Sequence, residues 1–235
     1  MKTGRLVDGE LRALVPARCL LCGVREARGT GLCEACASEL PRNEYCCARC
    51  ALPMESPSLL CGRCIRRAPP WDSAWSPFCY AWPLDRLEAR FKFGSDLAAG
   101  RVLAEAWCKS IAPMELPHAI APVPLHHARL RSRGYNQSLE LAKHLSKSLR
   151  IPLSREILQR TRATAAQSEL TAVQRRRNVR GAFVAHFNGD TPQHLAILDD
   201  VFTTGATLAE CARVLKRAGV ERVDVWALAR APVSG

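Results

Sequence analysis

The stretch from Ala196 to Thr207, AILDDVFTTGAT, ends an apolar run on two adjacent carboxylates, Asp199 and Asp200, and then sets three threonines around a glycine. The run Leu195 to Leu198 is short and bounded as a buried parallel strand would be, and Thr207 to Ala218, closed by Gly219, has the pattern of a helix with a glycine cap. Backbone N–H groups at a helix start are unpaired and carry the positive end of the dipole. A loop made of Thr203, Thr204, Gly205, Ala206 and Thr207 therefore suits a phosphate. Gly205 permits close backbone approach, and the three hydroxyls can donate to phosphate oxygens. The two acids would repel that phosphate if they reached it, so they must face something else: sugar hydroxyls or a bridging Mg²⁺. A ribose 5-phosphate meets both requirements.

Outward from this stretch, Val223 to Leu228 reads as a further strand. Strand, loop, helix and strand make a βαβ unit, whose ligands sit at the carboxyl ends of the strands. Upstream, Leu84 to Ile111 reads as helical with a break at Gly94-Ser95-Asp96, and His118 to Val123 as a short strand stopped by Pro124. Gln137 to Leu149 forms a helix with Leu139, Leu141, Ala142 and Leu145 on its apolar face. The fold class expected is α/β, a doubly wound parallel sheet. The stretch Arg66 to Pro83, rich in proline and aromatics, separates it from what precedes, which sets a boundary near Ala68 and units of 1–68 and 69–235.

The first unit is built on cysteine. Eight of the 12 cysteines form four CxxC pairs, Cys19/Cys22, Cys33/Cys36, Cys47/Cys50 and Cys61/Cys64, and the last two pairs repeat the first two at an offset of 28 residues. Two thiolates spaced this way wrap one metal ion, and two pairs complete a tetrahedron, so the pattern predicts two structural Zn²⁺ sites with no open position. The repeat unit holds one full set, which favours Cys19, Cys22, Cys33 and Cys36 for one ion and Cys47, Cys50, Cys61 and Cys64 for the other; an interleaved pairing stays open, and Cys46 competes with Cys47. Redox CxxC chemistry is the alternative, without the strand-helix setting it uses. Cys79, Cys108 and Cys211 stand alone and read as core residues.

Composition bounds the rest. The 235 residues carry 34 Lys+Arg against 22 Asp+Glu, a formal +12, which favours polyanionic partners. From His126 to Gly181 thirteen basic residues face three acids, a net +10. The charged N-terminal segment lacks the apolar core of a signal peptide, and no apolar run approaches a membrane span, so a cytoplasmic protein without a membrane span is expected. Neither GxxxxGK[ST] nor GxGxxG occurs, which removes a P-loop ATPase and a Rossmann dehydrogenase from consideration.

AILDDVFTTGAT resembles the PRPP-binding motif of type I phosphoribosyltransferases. By that resemblance Asp199 and Asp200 bind the ribose hydroxyls and Thr203 to Thr207 hold the 5-phosphate. Ala121-Pro122-Val123-Pro124-Leu125-His126, then Arg129, Arg131 and Arg133-Gly134-Tyr135-Asn136-Gln137, resemble the first strand, pyrophosphate loop and helix entry of the ComF (competence protein F) family. Thr161 to Thr164, with Gln167, Leu170, Arg175 and Arg177-Asn178, resemble that family's mobile loop. With the double zinc ribbon in front, the resemblance spans nearly the whole chain. It implies a type I phosphoribosyltransferase fold, structural Zn²⁺, Mg²⁺ accompanying PRPP, and Asp199, Asp200 and Arg129 in the reaction, with Gln167, Arg175 and Asn178 on the loop that closes. It also implies a role in handling single-stranded DNA during natural transformation, beside a helicase-like competence ATPase. Two readings follow: a pentosyltransferase acting on PRPP, or an inactive module of the same fold that binds single-stranded DNA or the ATPase. His126 and His127 read as phosphate contacts or as loop histidines.

Overall fold

The computed structural model describes residues 17–26, 29–162, 172–187 and 189–232. Its centre is a parallel sheet. The strand β3 (Ala119–Pro122) pairs with β6 (His194–Phe202), β6 with β7 (Arg222–Arg230), and β7 on its far side with two short strands in succession, β1 (Ser73–Trp75) and β2 (Phe78–Cys79). A parallel bridge from Ile120 to Leu153 extends the opposite edge. A separate antiparallel pair, β4 (Leu158–Arg160) with β5 (Phe183–Ala185), stands off the sheet.

Period-2 alternation sorts the strand residues between two cores, as the pleat requires. Leu195, Ile197, Val223, Val225, Ala119 and Ala121 point to one face, where the helix α8 (Ala206–Arg217) covers them with Leu208, Cys211, Ala212 and Leu215. Ala196, Leu198, Trp226, Leu228 and Ile120 point to the other. Three helices cover that face: α3 (Leu84–Phe93), α4 (Leu97–Cys108) and α6 (Gln137–Leu149). Helices on both faces of a parallel sheet make the expected doubly wound α/β fold. Each fully buried Leu, Ile or Val contributes about 1.5–3 kcal/mol, so the sheet interior outweighs any single polar contact described below. Asp96 explains the helical break: it N-caps α4 by accepting from Ala99 N at 3.0 Å.

Two compact knuckles precede the sheet. In each, the second CxxC sits at the start of a one-turn helix, α1 (Glu34–Ser38) or α2 (Gly62–Arg66). They dock on opposite faces. Cys19, Leu32 and Cys36 join the core beneath α4, where Val102 meets Gly31, and Arg90 Nη1 donates to Leu20 O at 2.6 Å. Cys47, Cys50, Cys61 and Cys64 join the other core, together with Trp71 and Phe202. The aromatic, proline-rich stretch between knuckle and sheet is thus part of the sheet: it supplies β1 and β2, and Trp75 packs on Trp226 and Trp107 at ring distances of 5.0 and 5.6 Å. Of the lone cysteines, Cys211 is fully buried in α8, while Cys79 and Cys108 are half-buried.

Candidate functional site

Each predicted set of four sulfurs converges. The ligand atoms of Cys19, Cys22, Cys33 and Cys36 lie within 4.8 Å of one another, and so do those of Cys47, Cys50, Cys61 and Cys64. The pairing is consecutive rather than interleaved. Cys46 stays outside the second set, bridged to Pro53 and half-buried. Burial opposes ionisation at Cys19 and Cys61, but backbone N–H groups from Cys22, Cys33 and Leu21 in one case and Cys64 in the other pull these thiols down to about 6 and about 7. Four converging thiols in each set, one of them held below the usual thiol range, form donor sets that fit structural Zn²⁺.

The second site is at the carboxyl end of β6. The strand runs past the apolar residues and carries both acids as far as Phe202 before it opens into the loop. Gly205, at φ +72°, is the N-cap of α8, a left-handed conformation that suits glycine. A Cβ there would lie 2.7 Å from the Phe202 ring and 3.1 Å from Trp71. Thr203 is exposed, Thr204 and Thr207 are half-exposed, and the Thr204 hydroxyl accepts from Ala206 N at 3.4 Å. The first turn of a 12-residue helix therefore opens onto a threonine-lined turn, as the sequence pattern predicts.

The acids differ in their surroundings. Asp199 Oδ1 accepts from Ser138 Oγ at 2.9 Å and from Asp200 N at 3.0 Å; Asp200 Oδ2 pairs with Lys92 Nζ at 3.0 Å, while its Oδ1 accepts from Val201 N at 2.7 Å. Lys92 also pairs with Glu88 at 3.3 Å, and Glu88 accepts from Tyr80 OH at 3.3 Å. Burial, then the adjacent Asp200 charge, push the Asp199 carboxyl up to about 7. At Asp200 burial also works upward, but the Lys92 ammonium outweighs it and the carboxyl falls below its usual range. The pair thus has one neutralised acid and one that titrates near neutrality. Lys92, Glu88 and Ser138 come from elements remote in sequence. Nothing near Asp199 in the chain points to them.

Arginines face this end of the sheet. Arg129 lies on α5 (His127–Arg133), half-exposed, and is held below its usual range by burial and by Arg133. Arg160, buried at the end of β4 with its guanidinium 5.3 Å over the Phe183 ring, is lowered by burial and then by Arg129; Asp199 works in the opposite direction. Mutually repelling guanidiniums, one of them acted on by Asp199, favour a polyanion. The histidines take structural positions: His126 caps α5, its Nδ1 accepting from Ala128 N at 3.3 Å, and His127 packs edge-on against it. Asn136 caps α6 and donates from Nδ2 to Val123 O at 3.0 Å, tying the Arg-rich loop to β3.

Gln167, with Ala163 to Thr171, lies outside the described residues. Arg175 belongs to the helix α7 (Ala172–Val179). Asn178, near its end, is half-buried, and its carbonyl accepts from Arg162 at 3.1 Å, as that of Arg180 does at 2.8 Å. Among the described residues no helix is long and apolar enough to cross a membrane.

Residues 10–72 match the family model of the double zinc ribbon domain. The chain is 39% identical over 175 residues to competence protein F of Haemophilus influenzae, covering 71% of this chain and 76% of that protein. It is 37% identical over 223 residues to DNA utilization protein YhgH of Escherichia coli K12, covering 92% and 98%. A more distant relative, competence protein ComFC of Streptococcus pneumoniae, is 24% identical over 153 residues, covering 65% and 66%.

Proposed function

We propose, for a chain that belongs to the family of competence protein F and DNA utilization protein YhgH, that the end of β6 holds PRPP or a related ribose 5-phosphate, and that the protein serves DNA uptake in natural transformation. The observation that carries this reading is the union, on one strand end, of an acid pair and a threonine turn opening on a helix N-terminus. In this reading Thr203 to Thr207 hold the 5-phosphate, and Asp199 accepts a ribose hydroxyl through the oxygen not committed to Ser138. Arg129 and Arg160 face the pyrophosphate. Asp200 is already neutralised by Lys92, so Mg²⁺ enters with the pyrophosphate rather than on a free acid pair.

If the site is catalytic, the reaction is displacement at the anomeric carbon. The C1–O bond to pyrophosphate breaks, an amine or nucleobase nitrogen forms the new bond, and the charge developing on the leaving group falls on the arginines. Positioning and exclusion of water do the work, with no protein nucleophile. Titration of zinc-loaded protein with PRPP and Mg²⁺ in a calorimeter, with ribose 5-phosphate as control, tests this. Tight binding that requires the pyrophosphate is expected; binding of neither ligand refutes the reading.

A second reading, a non-catalytic module for single-stranded DNA, is favoured by one contact. Aromatic residues are sparse in the basic segment, but the fold brings Phe93, which is 74% exposed, under the Arg133 guanidinium at 5.8 Å, adjacent in sequence to Lys92. An exposed ring beside arginines is a stacking platform for a base. Binding to a single strand should weaken steeply with salt, log K falling with a slope of about 0.7 per neutralised phosphate, and Phe93→Ala should weaken it further. A cytoplasmic protein working beside a helicase-like ATPase fits this reading.

A further inference from the structure

Arg230, at the end of β7, is buried, with only 3% of its surface exposed; four main-chain carbonyls accept from its guanidinium, and the Cys50 side chain of the second cysteine set lies beside it. Nε donates to Cys50 O at 3.0 Å. Nη1 donates to Phe202 O at 2.8 Å, Thr203 O at 2.7 Å and Ala231 O at 2.6 Å. The guanidinium also lies 4.2 Å over the Phe202 ring. One side chain thus ties the second knuckle to the residues that open the threonine turn.

Trp71 makes a parallel connection. Its Nε1 donates to Arg49 O at 2.5 Å, and its ring meets Phe202 edge-on at 5.5 Å and closes on Gly205. The carbonyls of consecutive knuckle residues, Arg49 and Cys50, are therefore each held by a side chain that also grips Phe202. Burying a guanidinium is costly; the carbonyls, together with the Cys50 and Cys61 side chains, offset that cost and fix its position between the second knuckle and the turn. The first knuckle has no such reach among the described contacts: its connections run to Arg90 and Val102 beneath α4.

We infer that the second four-cysteine set, filled with zinc, is a positioning element of the threonine turn, acting through Cys50 O, Arg230 and Trp71 on Phe202, Thr203 and Gly205, whereas the first set serves stability alone. The coupling does not depend on the turn's ligand. Only its effect on binding rests on the phosphate reading above.

The test is amide hydrogen exchange, read by mass spectrometry on the full zinc-loaded chain, with zinc content measured for each variant. Cys61→Ser should lose one of two zinc ions and raise exchange across Val201–Thr207 about tenfold. Cys33→Ser should also lose one ion but leave that segment unchanged. Arg230→Lys, whose single ammonium cannot span the Cys50 and Thr203 carbonyls, and Trp71→Phe, which removes both the N–H to Arg49 O and the part of the ring that closes on Gly205, should keep both ions and still raise exchange in the turn. These two variants carry the test if Cys61→Ser does not fold. Unchanged exchange in both, with two zinc ions retained, overturns the inference, and so does an equal response to Cys33→Ser. PRPP with Mg²⁺ titrated into the same proteins should bind about fivefold or more weakly to Arg230→Lys and with wild-type affinity to Cys33→Ser. If the wild-type protein binds neither PRPP nor ribose 5-phosphate while exchange moves as expected, the coupling stands and the ligand reading fails.

Discussion

Replacing Lys92 by methionine removes the cation that sits between Asp200 and Glu88, and the structure sets the size and pH dependence of the loss. Glu88 is 1% and Asp200 12% exposed at the side chain, so both carboxylates would be left in a largely dry site. Breaking a buried pair by removing one partner costs about 3–5 kcal/mol; since Lys92 itself is a quarter exposed, screening reduces this to about 2–3 kcal/mol. For a domain of this size that corresponds to a fall in Tm of roughly 4–12 °C. In the wild type Asp200 is held below its unfolded value, so its stabilising contribution is present above that value and lost only as pH falls through the lower folded one. Without Lys92 burial raises the carboxyl instead, and protonation relieves the charge. The deficit of Lys92→Met should therefore be largest near pH 8 and shrink toward pH 6. Urea unfolding of zinc-replete protein at the two pH values measures it, and Asp200→Asn closes a double-mutant cycle: on that background Lys92→Met should cost about 1–2 kcal/mol less. A deficit below about 1 kcal/mol, or one equal at both pH values, refutes the assignment of Lys92 as the counter-charge of the acid pair.

Asp199→Asn should leave zinc content intact and melt no lower than wild type at pH 8, because a carboxyl raised to about 7 stabilises the folded state only while protonated and that contribution is lost as pH rises through 7. The same variant should bind ribose 5-phosphate at least tenfold more weakly, and its loss should flatten a wild-type affinity that improves as pH passes 7; a parallel pH profile in both proteins counts against Asp199 as the hydroxyl acceptor. Gly205→Ala, which needs φ +72° and a Cβ 2.7 Å from Phe202, should cost about 1 kcal/mol or more in urea unfolding. Chelation should release two equivalents of zinc per chain and abolish cooperative unfolding of the knuckles, measured by a metallochromic dye alongside far-UV dichroism.

The parts legible in sequence are those where local pattern and tertiary role agree. Apolar runs placed β3, β6 and β7, Gly94-Ser95-Asp96 placed the break before α4, and the offset of 28 residues favoured the sulfur sets that the fold assembles, leaving the interleaved pairing for the structure to remove. The stretch at 73–79 reads as a connector because three- and two-residue strands interrupted by Pro77 have no period of their own; they exist through pairing with β7. The pair β4 and β5 is equally short. At the site, AILDDVFTTGAT declares its acids and its turn, but the partners that set their charge and position come from elsewhere: Lys92 and Glu88 from α3, Ser138 from α6, Arg230 from β7 and Trp71 from the connector. The one available signal was Glu88 and Lys92 at i,i+4 spacing, which on most helices marks a solvated face.

The placement of β7 between β6 and the two short strands governs the order in which a nascent chain can become a protein. Cys50 meets Arg230 across 180 residues, and residues 73–79 find their neighbour only in β7. At about 5–20 residues per second, roughly 7–30 s separate synthesis of the short strands from synthesis of the strand that pairs with them. Over that interval the second knuckle must hold its shape by metal alone, with its docking face uncovered. A cell short of zinc, or a message truncated before β7, would leave this segment to chaperones and proteases rather than to the sheet.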